Sequence, residues 1–364
     1  MHTNPFAATY ADCRRKFLTL CREAGARVRS FEHPLAGPEG EALATDLAVL
    51  GPAHASNVLI VESGLHGAEG FAGSAIQAAV LQDAGLRDLP PDTALVLVHA
   101  INPWGFAWNR RFNEDNIDLN RHFVDWDDPG DLSNPGYDAI AGFIIPDDLS
   151  GEAIARSDAL LAAFGAEAGD IALRNAVKLG QYGHPDGLFY GGSGPSWSSR
   201  TVQAVADGCL GTARRAGLID IHTGLGPFGF GECLSGESPD SDEGRRAGGW
   251  YGHVAHTKSD ATSYAGSKAS ILDGWRRAAP GVEWTPIGLE FGTRAPQVVQ
   301  DAVRLDGWLW LNGFRDNPAW DRVKAGLSHA FNPAEPEWRQ AVVARGLEVV
   351  RQGLAGLAAR QGGR

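Results

Sequence analysis

Val58-Leu59-Ile60-Val61-Glu62-Ser63-Gly64-Leu65-His66-Gly67-Ala68-Glu69-Gly70 is the stretch from which the rest of this chain can be read. It opens as a short, continuous apolar run, the pattern of a buried strand. Glycines then break the run, with His66 and Glu69 three positions apart, and residues 71–81 resume in a helical pattern. An imidazole and a carboxylate on a glycine-rich turn at the end of a strand can converge on one point. A catalytic zinc takes three such nitrogen and oxygen ligands and keeps a fourth position for water. Taken alone, H-x-x-E arises often by chance, so the metal reading depends on what else the chain carries.

Moving outward, Pro90 and Pro91 close a loop before residues 94–100, a second continuous apolar strand. Strand, helix and strand at this spacing predict a right-handed βαβ unit in a mixed, mostly parallel sheet with helices on both faces. Sheets of that kind hold their sites beyond the carboxyl ends of the strands, where His66 and Glu69 fall. Residues 105–123 follow, with three arginines, four asparagines and little periodicity. A solvated loop is the ordinary reading of such a stretch. Beside a candidate metal site, a substrate-binding loop is at least as well supported.

Two later strands end in groups that ionise. Leu218-Ile219-Asp220-Ile221-His222 runs into Thr223-Gly224 and offers a third ligand, although a lone histidine there is more often a core residue. Residues 284–293 place Glu290 among apolar neighbours, and an unpaired buried carboxylate is expensive. Either an ion pair with Arg294 or a catalytic role would explain it.

The outer segments supply the frame. Residues 11–24 predict a surface helix, and residues 27–31 and 46–50 short strands. Residues 125–146 are irregular; 152–164 and 167–179 predict helices. Residues 180–199, with His184, make a shaped loop before a helix over 198–216. Residues 229–257, with His253 and His256, are glycine-rich and carry no assigned role. A short helix ends near Arg277, and residues 337–361 predict a long helix packed on the body.

The length of 364 residues suits one large domain or two. A net charge of -12 argues against nucleic acid or an anionic membrane as partner, because both are bound through basic patches. Residues 1–10 show no basic segment followed by an apolar core, and no apolar run approaches a membrane span, so a cytoplasmic protein is expected. The four cysteines form no C-x-x-C pair and are expected to be reduced thiols.

Four pieces in this order resemble the M14-type zinc carboxypeptidase superfamily, in particular a compact bacterial branch of DUF2817 type. They are His66-Gly67-Ala68-Glu69, Arg111 leading into Asn116-Ile117-Asp118-Leu119-Asn120-Arg121, Ile221-His222, and Leu289-Glu290. The resemblance implies a carboxypeptidase-like α/β fold over residues 1–364, with an insertion at about 124–216. It implies one zinc per chain on His66, Glu69 and His222, and Glu290 as general base. Arg111 would polarise the scissile carbonyl, and Asn120 with Arg121 would hold a substrate carboxylate. Tyr264, in a Tyr-x-Gly-Ser setting, resembles the family's mobile tyrosine. Two features depart from the digestive members: Ala68 stands where they carry arginine, and residues 123–216 exceed what they need. Gly187-Leu188-Phe189-Tyr190-Gly191-Gly192 resembles the related aspartoacylase and desuccinylase branch. The expected activity is cleavage of an amide next to a free carboxylate, in a small peptide or an acylated amino acid. The rivals are an aspartoacylase-like N-acyl amino acid deacylase and a non-catalytic metal- or ligand-binding protein.

Overall fold

A computed structural model describes residues 4–256 and 269–359. Its strands are β1 (Arg27–Ala36), β2 (Ala42–Leu50), β3 (Asn57–Glu62), β4 (Thr93–His99), β5 (Arg215–Phe228), β6 (Gly231–Ser235), β7 (Ala255–His256) and β8 (Glu283–Gly292). They form one mixed sheet in the order β1-β2-β4-β3-β5-β8-β6-β7. The central strands β4, β3, β5 and β8 run parallel, while β2 joins β4 and β6 joins β8 antiparallel. The sheet is the mixed, mostly parallel one that the apolar runs predict.

The helices are α1 (Tyr10–Glu23), α2 (Gly70–Gln82), α3 (Pro103–Ala107), α4 (Pro135–Ile140), α5 (Gly151–Ala168), α6 (Asp170–Lys178), α7 (Trp197–Cys209), α8 (Asp242–Tyr251), α9 (Ile271–Ala278), α10 (Pro296–Leu311), α11 (Trp320–Phe331) and α12 (Pro336–Ala358). Residues of α1, α2, α8 and α12 cover one face of the sheet in a single core. Those of α7 and α9 cover the other. Helix α2 is buried from Gly70 to Leu81 because it lies between the sheet and the α1 and α12 helices, which explains its lack of a polar face. Helices α4 to α6 pack with α10 and α11 in a third core that includes Tyr137, Leu161, Val299 and Phe331.

Strand order reverses between β3 and β5. The β3–α2–β4 unit steps to one side, and β5 leads to β8 on the other. Such a switch point opens a crevice at the carboxyl ends of the strands. His66 and Glu69 follow β3, and His222 lies on β5, so the ligand candidates flank that crevice.

Several segments differ from expectation. The helix expected over 198–216 stops at Cys209, and β5 already begins at Arg215. The glycine-rich stretch 229–257 holds β6, α8 and β7. Its strands are only five and two residues long, too short for their alternation to stand out. Helix α4 forms within the stretch expected to be irregular. Among the described residues, no helix is long and apolar enough to cross a membrane.

Candidate active site

The turn after β3 can close tightly because two of its residues lack a Cβ. Gly64 sits at φ 63°, and a Cβ on Gly67 would lie 1.9 Å from the Gly105 carbonyl carbon. The Gly67 N–H donates to the Arg111 carbonyl (3.3 Å), and the Ala68 N–H to that of Arg110 (3.0 Å). The turn that carries His66 and Glu69 is thereby sewn to the arginine loop. His222 comes from the neighbouring strand, and its register partner on β8 is Glu290.

These elements bring His66, Glu69 and His222 together, all buried. His66 Nδ1 lies 2.9 Å from Glu69 Oε1, and His222 Nδ1 lies 3.0 Å from Oε2. One ligand atom from each of the three stands within 4.8 Å of the others. Two imidazoles and a carboxylate suit zinc, whereas magnesium and calcium favour oxygen alone. The donor set therefore fits the metal that the motifs imply. The His222 Nε2 is held by Asp220 at 2.5 Å, the usual way to fix the orientation and tautomer of a ligating ring.

The charges are strongly coupled. Burial alone would raise the Glu69 carboxyl, but His66 and His222 hold it below the usual carboxylate range. Burial disfavours charge on His222, and Asp220 with Glu69 outweighs it to raise the imidazole. Glu290 behaves oppositely. Burial, then the like charge of Glu69, raises it to about 7 although the Leu225 N–H donates to its Oε1 at 3.0 Å. Arg294 does not pair with Glu290 but with Glu335 at 2.7 Å, so the ion-pair explanation of Glu290 fails. Arg294 lies beyond the end of β8, where its side chain reaches the start of α12 instead.

Arg111 faces the cluster of His66, Glu69 and His222. Its Nε donates to Asp118 (3.0 Å) and its Nη1 to Glu69 (3.2 Å), while Nη2 lies 2.8 Å from His66 Nε2. Arg121 donates to the carbonyls of Lys178 (2.7 Å) and Asn120 (2.8 Å), which fixes its guanidinium plane at the cavity wall. The Asn120 Oδ1 accepts from the Ile271 N–H at 3.3 Å. Arg111, Asn120 and Arg121 line a cavity of about 900 Å³ with His66, Glu69, His222 and Glu290 on its wall. Tyr264 lies outside the described residues. His184 meets Asp138, and His256 donates to the Glu237 carbonyl; neither joins the cluster.

Residues 6–345 match a family described as a protein of unknown function, DUF2817. The chain belongs to that family. It is the branch that the four motifs resemble. No curated protein matches the chain. Among solved structures, a candidate metallopeptidase from Shewanella amazonensis SB2B is 17% identical at a TM-score of 0.39, over 84% of this chain and 91% of that one. Carboxypeptidase A from Helicoverpa armigera is 14% identical at a TM-score of 0.44, over 92% of this chain and 76% of that one. An aspartoacylase family protein from Mesorhizobium loti is 16% identical at 0.39, over 79% of this chain and 67% of that one.

Several residues of this DUF2817 site carry no role in the sequence reading. Asp118 meets both His66 (3.2 Å) and Arg111 (3.0 Å). Asp220 holds His222, and behind it Glu62 accepts from Trp275 Nε1 at 2.8 Å. Glu62 is raised well above the carboxylate range by burial and then by Asp220, its register partner. The Asp220 signal was present in the sequence: residues two apart on a strand share a face, so Asp-x-His is a carboxylate–imidazole pair. Lys178 had no such signal, because only the fold carries α6 to the cavity.

Proposed function

We propose that this chain is a zinc-dependent hydrolase cleaving an amide bond next to a free carboxylate. The convergence of His66, Glu69 and His222 beside a carboxyl raised to about 7 supports this reading best. His66, Glu69 and His222 would hold the ion. Zinc bound there supplies Lewis acidity and lowers the pKa of water toward ~7. Glu290, poised near neutrality, takes the water proton and passes it to the leaving nitrogen. Arg111 donates to the carbonyl oxygen as it gains charge. Arg121, with Asn120, grips the carboxylate of the amino-acid half through parallel N–H donors. We read the chain as one catalytic domain in which residues 124–216 are an insertion that shapes the cavity.

The insertion also lines the substrate space. Leu173 and Val177 of α6 and Phe189 of the following loop line the cavity and give it apolar surface beside Arg111 and Arg121. Small acylated amino acids, as in a deacylase, therefore fit as well as short peptides. The test combines metal analysis with turnover on C-terminal dipeptide and N-acyl amino acid panels. One zinc per chain and hydrolysis of either panel is expected. A zinc-loaded protein inert on both would overturn the reading.

A further inference from the structure

Resting on that reading, we propose that Lys324 of α11, which lies outside the cavity lining, is a positioning residue for Arg111: with Asp306 of α10 it clamps the backbone at residues 109–111. Arg110 and Arg111 are neighbours in the chain, yet their side chains part. Arg111 goes to Asp118, Glu69 and His66, whereas Arg110 goes to Asp306 (3.1 Å) and Asn116 (2.5 Å). The Lys324 ammonium reaches the other oxygen of Asp306 at 2.6 Å and donates to the Asn109 carbonyl at 3.0 Å. Asn109 answers in kind, its Nδ2 donating to the Lys324 carbonyl (3.2 Å) and to Ser328 Oγ (2.8 Å). It holds φ at 46°, in the left-handed region that asparagine tolerates.

Three successive carbonyls are thereby anchored: that of Asn109 on Lys324, that of Arg110 on the Ala68 N–H, and that of Arg111 on the Gly67 N–H. Each anchor fixes one peptide plane, and together they set the direction in which Arg111 leaves the backbone. Two partners of its guanidinium, Glu69 and His66, serve as ligands in the proposed reaction, which leaves Asp118 and the backbone to aim it. The make-up of the clamp also speaks for a role in geometry. Arg110, Asp306 and Lys324 are all buried, two cations on one carboxylate, beside the rings of Trp310 and Trp320. A well-packed apolar trio is often as stable as such a buried row or more so, which makes stability a weak reason for it. Misplacing a reacting group by about 1 Å can cost about 10²-fold in rate.

The test compares the zinc-loaded parent with Lys324→Met, which keeps the unbranched stem and removes the ammonium. Steady-state kinetics uses hippuryl-L-phenylalanine and N-acetyl-L-phenylalanine. The kcat should fall about 10–100-fold with KM within about twofold, since the oxyanion donor acts only in the transition state. On an Arg111→Ala background the same substitution should cost less than about threefold, because the group it positions is gone. A residue serving only the fold would cost the same in both backgrounds. Amide exchange, which needs no turnover, should quicken at Gly67 and Ala68 and stay parental from Leu59 to Val61 of β3. If Lys324→Met does not fold, Asn109→Gly decides. Glycine accepts the positive φ, and the variant loses both side-chain bonds to α11, so kcat should drop about 3–10-fold. Parental kcat in a folded variant, a loss repeated in full on Arg111→Ala, or unchanged exchange at Gly67 and Ala68 overturns the proposal. Hydrolysis of either substrate at the parental rate by Lys324→Met sinks the clamp and leaves the hydrolase reading standing. A zinc-loaded parent inert on both panels sinks the hydrolase reading, and faster exchange confined to Gly67 and Ala68 then keeps the clamp.

Discussion

The cavity has two walls, and they are built differently. On the strand wall, His66, Glu69, His222 and Glu290 are buried at the ends of parallel strands, and hydrogen bonds fix them to one another and to the backbone. On the α6 wall, Arg174 is exposed and Lys178 half-buried on a nine-residue helix of the insertion. The strand wall can hold a reacting geometry because moving any of its groups disturbs the sheet. The helix wall can change its side chains at small cost to folding, which suits recognition.

The largest effect should come from the strand wall. His222→Ala removes a ligand candidate and strands Asp220 without its imidazole, so metal analysis should find the zinc lost or bound far more weakly. Full zinc occupancy in that variant would take His222 out of the ligand set and dissolve the contrast between the walls.

Next in size is Glu290→Gln. It should keep zinc and fold, yet lose on the order of 10²–10⁴ in turnover. In the parent enzyme the rate should climb tenfold per pH unit while Glu290 ionises, then level off above a pKa of about 7, or lower once a cation stands beside it. The sign follows from the role: a base works only when deprotonated, and burial with Glu69 keeps the proton on longer. Near-parental turnover in the variant would hand the base role to another carboxylate.

The smallest and most discriminating comparison sets Arg111 against Arg121. A carboxylate is charged throughout the reaction, so its holder contributes uniform binding; the charge met by Arg111 appears only as the carbonyl becomes tetrahedral. Arg111→Ala should lower kcat, by ~2–4 kcal/mol in barrier, and Arg121→Ala should chiefly raise KM. Steady-state kinetics on a substrate with and without its free carboxylate separates the two. If Arg121→Ala treats both forms as the parent does, Arg121 reads no carboxylate.

The two walls were also unequally legible in the sequence. The ligand turn could be read because its signal is local: an apolar strand, a glycine break, then histidine and glutamate within four residues. Glu290 stood out as a carboxylate in an apolar strand. Helices α10 and α11 gave no comparable signal. In α10 the buried face mixes Val299, Ala302 and Val303 with buried Arg304 and Asp306, which blurs the apolar period. Those charges are tolerated because partners from distant segments meet them, Arg304 with Asp158 and Asp306 with Arg110 and Lys324. Asp301, three residues before Arg304, is a further partner within the helix, but nothing near these charges in the chain announces the distant ones.

The sequence by itself determined the strand–turn–helix unit, the parallel core of the sheet and the chemistry on offer at each strand end. These depend on the side-chain period and on glycine conformations, which act over a few residues. The tertiary structure alone decided that His222 and Glu290 are register partners, that Arg294 leaves Glu290 for Glu335, and that α6 turns Arg174 and Lys178 to the same cavity. Strand order and helix docking set those distances, through contacts between residues far apart in sequence. Local pattern carries no record of them.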